Sequence, residues 1–134
     1  SGWSNPCNVL YVAETYGARI WAWDVHGPGK LSEPEHPFWP ARLLYRFPGY
    51  ERLDSLAVDS EGNVVVATLG TGCISAVSST GVLRAVLPVP EFDLMVTNVC
   101  FGGPDLTTAY ITSSGLGRLY AADWHCPGLP LNFA

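Results

Sequence analysis

The chain has 134 residues, of which 48% are apolar and only 14% are Asp, Glu, Lys or Arg, a composition that excludes disorder and is long enough for one domain with a buried core. Twelve acidic residues against seven basic ones give a net charge of -5, and the single lysine, Lys30, leaves no basic stripe for a phosphate backbone, so a nucleic-acid partner is excluded. No apolar run approaches the roughly 18 residues of a membrane span, so no membrane partner is expected.

In chain order, short β-rich runs occur at Val9 to Glu14, Arg19 to Val25, Ala41 to Phe47, Leu56 to Asp59, Asn63 to Leu69, Cys73 to Ser78, Leu83 to Leu87, Val96 to Phe101, Thr108 to Ser113 and Gly117 to Asp123. Gly, Asn, Asp and Ser punctuate them, and no i, i+3, i+4 pattern is sustained, so the fold class is all-β. Sliding the chain by 54 residues lays Leu10-Tyr11-Val12-Ala13 on Val64-Val65-Val66-Ala67 and Ile20 on Ile74. Sliding by 45 lays Ala109-Tyr110-Ile111-Thr112 on the same stretch, Gly115 and Gly117 on Gly70 and Gly72, and Leu119 on Ile74. A unit of strand, Gly-rich turn and strand thus recurs three times, at the period of β-propeller blades of about four strands. A β-sandwich also spaces strands this way, but the gapless repeat of strands and glycines favours blades.

The middle unit is complete: inner strand Leu56 to Asp59, turn Ser60-Glu61-Gly62, then Asn63 to Leu69, Cys73 to Ser78 and Leu83 to Leu87. The first unit has only Ser1 to Ser4 left for an inner strand, and a Pro-, Gly- and His-rich stretch, Gly27 to Pro40, precedes its outer strand. Pro127 and Pro130 leave the last unit without a clear outer strand. The expectation is a single region, 1–134, with blades at about 1–50, 51–92 and 93–134.

The segments Leu10-Tyr11-Val12-Ala13-Glu14-Thr15, Arg19-Ile20, Leu53 to Asn63, Thr97 to Asp105, Tyr110-Ile111-Thr112 and the ending Gly128-Leu129-Pro130-Leu131-Asn132-Phe133 resemble, in order, the C-terminal half of the SMP-30/gluconolactonase family. That resemblance implies half of a six-bladed propeller that binds a divalent cation in its central channel and hydrolyses lactones or related esters. Calcium is the first expectation, with zinc or manganese as alternatives. Asp54 stands where the family has an Asp at the start of an inner strand, although Leu53 and Ser55 replace the family's Pro and Gly. The resemblance makes Asp54 the candidate metal ligand and general base. The family's early Glu and its central Asn have no matching position in the chain, so the metal site is expected to be incomplete and the cation absent from the chain alone. Aligning inner strands sets Thr97 at the level of Asp54 and Asn98 at that of Ser55, which makes both candidates for contact with substrate hydroxyls. The alternative for each is a side chain that bonds local backbone.

Other polar residues read as structural. Asp59, with Gly62-Asn63, and Asp105, after Gly102-Gly103, are expected to form turns. His26, His36 and His125 stand at no ligand spacing and read as surface residues. Ser113-Ser114-Gly115 lacks the strand-turn-helix context of a nucleophile elbow. Cys7, Cys73, Cys100 and Cys126 show no zinc spacing and read as reduced thiols, with a disulfide as the alternative if the protein is exported.

The sequence supports two functions. One is a lactone hydrolase acting on a small lactone or sugar-acid substrate, its ring completed by a second copy as a homodimer or by an N-terminal half. The other is a half-propeller that has lost the metal site and serves as a binding module. Ser1 to Tyr11 lacks a signal-peptide pattern, so the cytoplasm is the expected compartment, with a periplasmic or secreted location as the alternative.

Overall fold

The computed structural model describes residues 8–131; Ser1 to Ser4, Cys7 and the last three residues lie outside that range. Within it the chain is all-β, with eleven strands in three antiparallel sheets and no helix. The first sheet holds β1 (Val9–Glu14), β2 (Arg19–Gly27), the two-residue β3 (Lys30–Leu31) and β4 (Arg42–Arg46), with β1 on one edge of β2 and both β3 and β4 on the other. The second is a four-stranded meander of β5 (Arg52–Val58), β6 (Val64–Leu69), β7 (Cys73–Val77) and β8 (Leu83–Pro88). The third holds β9 (Val96–Gly102), β10 (Thr108–Ser113) and β11 (Arg118–Asp123). The third sheet has no fourth strand among the described residues, as the prolines of the tail suggest.

The middle sheet is covered on both faces, and its sequence shows why. Val64, Val65, Val66 and Ala67 are all fully buried. Side chains alternate across a strand, so Val64 and Val66 join Ile20, Leu44, Phe47 and Leu53 on the side of the first sheet. Val65 and Ala67 join Val96, Val99, Ala109 and Ile111 on the side of the third. A continuous apolar run is what a strand between two layers requires. The outer sheets have only one partner each, and β10 shows the alternation of a one-sided strand, with Ala109, Ile111 and Ser113 buried.

Two glycines let the sheets approach. Gly72 has φ +67° and a Cβ there would strike the backbone carbonyl of Asp93, in the lead-in to β9. Gly81, in the expected turn Ser79-Thr80-Gly81, has φ +84° and lies against the carbonyl of Leu44 in β4. Both positions exclude a side chain by space and by backbone conformation.

The structure departs from the expected elements at both ends of β5. The strand begins at Arg52, four residues before the anticipated Leu56, so Asp54 lies within the inner strand. The tail after β11 turns back across the third sheet to the other end of β5. There Asp59 bridges Gly128, Pro127 accepts from the Ser60 N–H at 2.7 Å, and Leu129 donates to Val58 at 3.0 Å.

Candidate functional site

The inner strands of the second and third sheets, β5 and β9, lie against one another and carry the same irregularity. On β5 the ladder to β6 runs from Leu53 opposite Thr68 to Leu56 opposite Val66, so one extra residue is inserted at Asp54-Ser55. On β9 the ladder to β10 runs from Val96 opposite Ser113 to Asn98 opposite Thr112, so the extra residue is Thr97. Leu53 and Val96, both fully buried, pin the two bulges at equal depth. A bulge bends the strand and re-aims the side chains at the insertion. Asp54 therefore stands level with Thr97, and Ser55 with Asn98, the correspondence read from the sequence.

Asp54 is half-buried, and no hydrogen bond or ion pair engages its carboxylate among the described residues. The Thr97 hydroxyl sits between two others, 2.9 Å from Thr112 Oγ1 and 2.7 Å from Ser114 Oγ. The exposed Asn98 turns its Oδ1 to accept from the Val99 N–H at 2.8 Å, so one side of its amide bonds local backbone. The loops at this end are tied across sheets: the Leu53 N–H donates to Thr15 in the β1–β2 turn, and the Gly70 N–H donates to Leu94 at 2.9 Å.

Asp93, which motif reading passed over, organises the approach to β9. Its carboxylate accepts from the Met95 and Leu116 N–H groups at 2.8 and 2.9 Å and from the buried Ser113 hydroxyl at 2.5 Å. The Ser113 hydroxyl, followed by the Met95 and Leu116 N–H groups, holds the Asp93 carboxyl below its ordinary range. Ser113 is thus committed to a structural contact, in keeping with its lack of a nucleophile-elbow context.

A second polar cluster lies at the far end of β5. Asp59 is fully buried and its carboxylate accepts from the Glu61 and Asn63 N–H groups at 3.0 Å, from Asn63 Nδ2, and from the Trp124 indole at 3.0 Å. Burial pushes its carboxyl up, but the Asn63 and Trp124 donors outweigh that and hold it below its ordinary range. The turn role expected of Asp59 is present, and the bond to Trp124, 65 residues on, adds a tertiary tie. Beside it the exposed His125 Nε2 lies 3.1 Å from Glu61 Oε2 and 3.6 Å from the Sγ of the buried Cys126. One ligand atom each of Asp59, His125 and Cys126 falls within 4.8 Å of the others. No sequence spacing announces this group, because the returning tail creates it. His26 and His36 are exposed, as expected, and Cys73, Cys100 and Cys126 are free thiols.

A groove of about 680 Å³ between the second and third sheets is lined by Glu61, Asn63, Arg84, Trp124 and His125 and so lies near this second cluster. Asp54 lines none of the larger concavities.

Residues 1–115 match the sequence profile of the SMP-30/Gluconolactonase/LRE-like region. The chain belongs to this family. Among curated relatives it is similar to the pentonolactonase XacC of Haloferax volcanii, with 37% identity over 62 residues, 46% of this chain and 21% of that protein. It is also similar to regucalcin of Xenopus laevis, with 29% identity over 117 residues, 84% of this chain and 36% of the relative. Among solved structures, luciferin-regenerating enzyme superposes with a TM-score of 0.76 at 28% identity, over 95% of this chain and 45% of that one. The three sheets are therefore those of an SMP-30-type propeller. The chain spans less than half the length of each of these proteins.

Proposed function

We propose that the chain contributes part of the propeller of a lactone hydrolase, with Asp54 as general base and Thr97 and Asn98 as contacts for substrate hydroxyls. The observation that carries this reading is the pair of bulges, which brings a carboxylate without a partner among the described residues level with a hydroxyl and an amide on adjoining inner strands of a family fold that includes lactonases. In lactone opening, water attacks the ring carbonyl, its proton passes to Asp54, the acyl–oxygen bond breaks, and the proton returns to the departing alkoxide to leave a hydroxy acid. Thr97 and Asn98 orient the substrate by hydrogen bonds to its hydroxyl groups.

The Asp54 carboxylate, without a partner among the described residues, offers hard oxygen donors and suits a divalent cation such as calcium. When bound, such an ion polarises the lactone carbonyl and stabilises the developing negative charge. Calcium takes about six to eight oxygens, so further ligands must come from the remainder of the ring.

That remainder would come from a second copy of the chain, as a homodimer, or from an N-terminal half. The face of the first sheet turned away from the middle one exposes Leu10 and Val12, and the corresponding face of the third exposes Leu119 at 66%. Two copies related by a two-fold axis would cover both faces and bring two Asp54 carboxylates into one channel. The same exposed faces suit the second reading, a binding module without catalysis, and an assay separates the two. Hydrolysis of small sugar lactones, followed with added calcium, zinc or manganese, is expected for the enzyme and should vanish on chelation. A binding module opens no lactone under any of these conditions.

A further inference from the structure

We propose that Cys126, His125 and Glu61, beside the Asp59 carboxylate, form a binding site for a borderline-soft transition cation, zinc by its chemistry, at the end of the propeller opposite Asp54. Asp54 and Asp59 lie near the start and just beyond the end of the same strand, roughly 16 Å apart at the usual rise of about 3.3 Å per residue. The two sites are therefore distinct.

The donors select the metal class. A thiolate and an imidazole with a carboxylate suit zinc, whereas calcium takes oxygens alone. The spacing also fits. With Zn–S at about 2.3 Å and Zn–N at about 2.0–2.1 Å, tetrahedral geometry separates sulfur from nitrogen by about 3.6 Å. The observed Cys126 Sγ to His125 Nε2 distance is 3.6 Å, and His125 Nε2 to Glu61 Oε2 is 3.1 Å. The packing of the tail against the β5–β6 turn brings one ligand atom each of Asp59, His125 and Cys126 within 4.8 Å of one another and sets the Glu61 carboxylate beside His125.

Asp59 positions the set. Its oxygens are occupied by Asn63, Glu61 N–H and Trp124, and the fixed Trp124 indole lies against the His125 ring with centroids 5.4 Å apart. Glu61 is exposed and free to exchange its ion pair with His125 for shared metal coordination. The exposed side faces the 680 Å³ groove, which gives the ion a path in and leaves a fourth position for water. Because His125 and Cys126 belong to the tail and Glu61 to the β5–β6 turn, the metal would fasten the returning tail to the middle sheet.

Zinc chloride titrated into the chelator-stripped full chain by calorimetry tests this. The expected result is a zinc site of micromolar or tighter affinity, weakened at least about 10-fold in both His125→Ala and Cys126→Ser and unchanged in His26→Ala, an exposed histidine outside both sites. Cobalt(II) should give a sulfur-to-metal charge-transfer band that Cys126→Ser abolishes. His125 is exposed, so its replacement should fold even if that of Cys126 does not. No zinc binding at tens of micromolar metal, or binding equal in wild type and His125→Ala, would overturn the proposal.

Discussion

Asp54 and Thr97, 43 residues apart in sequence, occupy equivalent insertions on adjoining inner strands, each one residue beyond a fully buried anchor, Leu53 or Val96. The repeat that builds the sheets thus also repeats a distortion of the inner strand at polar positions. The third sheet presents a hydroxyl where the second presents a carboxylate, so the two positions are assigned different work. Thr97→Val is expected to raise KM for a hydroxylated lactone about 3- to 10-fold with little change in kcat, as for loss of one neutral hydrogen bond. The kinetics of a deoxy substrate, insensitive to the substitution, provide the control.

Carboxylates held by hydrogen bonds make stability dependent on acid. Asp59, Asp93 and Glu14 are all held below their ordinary ranges: Asp59 by donors that outweigh its burial, Asp93 by Ser113, and Glu14 by Arg19 and Trp21. A carboxyl whose folded pKa lies below its unfolded value contributes fully above the unfolded value, near about 4, and loses that contribution as pH falls through the folded one. Urea midpoints are therefore expected to be level from neutral pH down to about 5 and to decline below about 4. Asp59→Asn should cost about 2–4 kcal/mol at neutral pH, because an amide presents donors to the Asn63 and Trp124 donors, and should flatten part of the acid decline.

Much of the fold is legible in the sequence because the physics that sets it is local or periodic. The Val64 to Ala67 run is apolar without alternation since both faces are covered, and the Gly-punctuated turns recur since the sheets are repeats. The expected inner strand starts only at Leu56 because the polar Asp54-Ser55 interrupt the pattern, yet the ladder continues through them as a bulge, which pattern alone does not distinguish from a turn. β3 escapes notice because two residues, Lys30 and Leu31, pair back on β2 across Pro28-Gly29 within a stretch of loop composition. The His125–Glu61 contact spans 64 residues and exists only because the tail returns to β5. No spacing rule reaches it.

The two-sided burial of the middle sheet makes it the stability centre. Ile74 is fully buried in β7 against Val65, Val96 and their neighbours, so Ile74→Ala is expected to cost about 2–5 kcal/mol in chemical denaturation. Leu119→Ala, on the exposed face of the third sheet, should change the stability of the isolated fold by less than about 0.5 kcal/mol.

Exposed positions carry the assembly instead. Static light scattering at micromolar concentration is expected to return twice the 14.4 kDa chain mass, and Val12→Glu or Leu119→Glu to return the single-chain mass by placing a charge in the shared face. A wild type of single-chain mass would remove the second copy from the proposed channel.

The most direct measurement is the initial rate of lactone opening by wild type and Asp54→Asn, each at saturating calcium, zinc and manganese in turn. Loss of a general base at Asp54 predicts a fall of at least about 100-fold in kcat with the fold intact by circular dichroism. Equal rates in the two proteins, or no hydrolysis by wild type with any of the three cations, would contradict the assignment of Asp54 and with it the proposed lactonase.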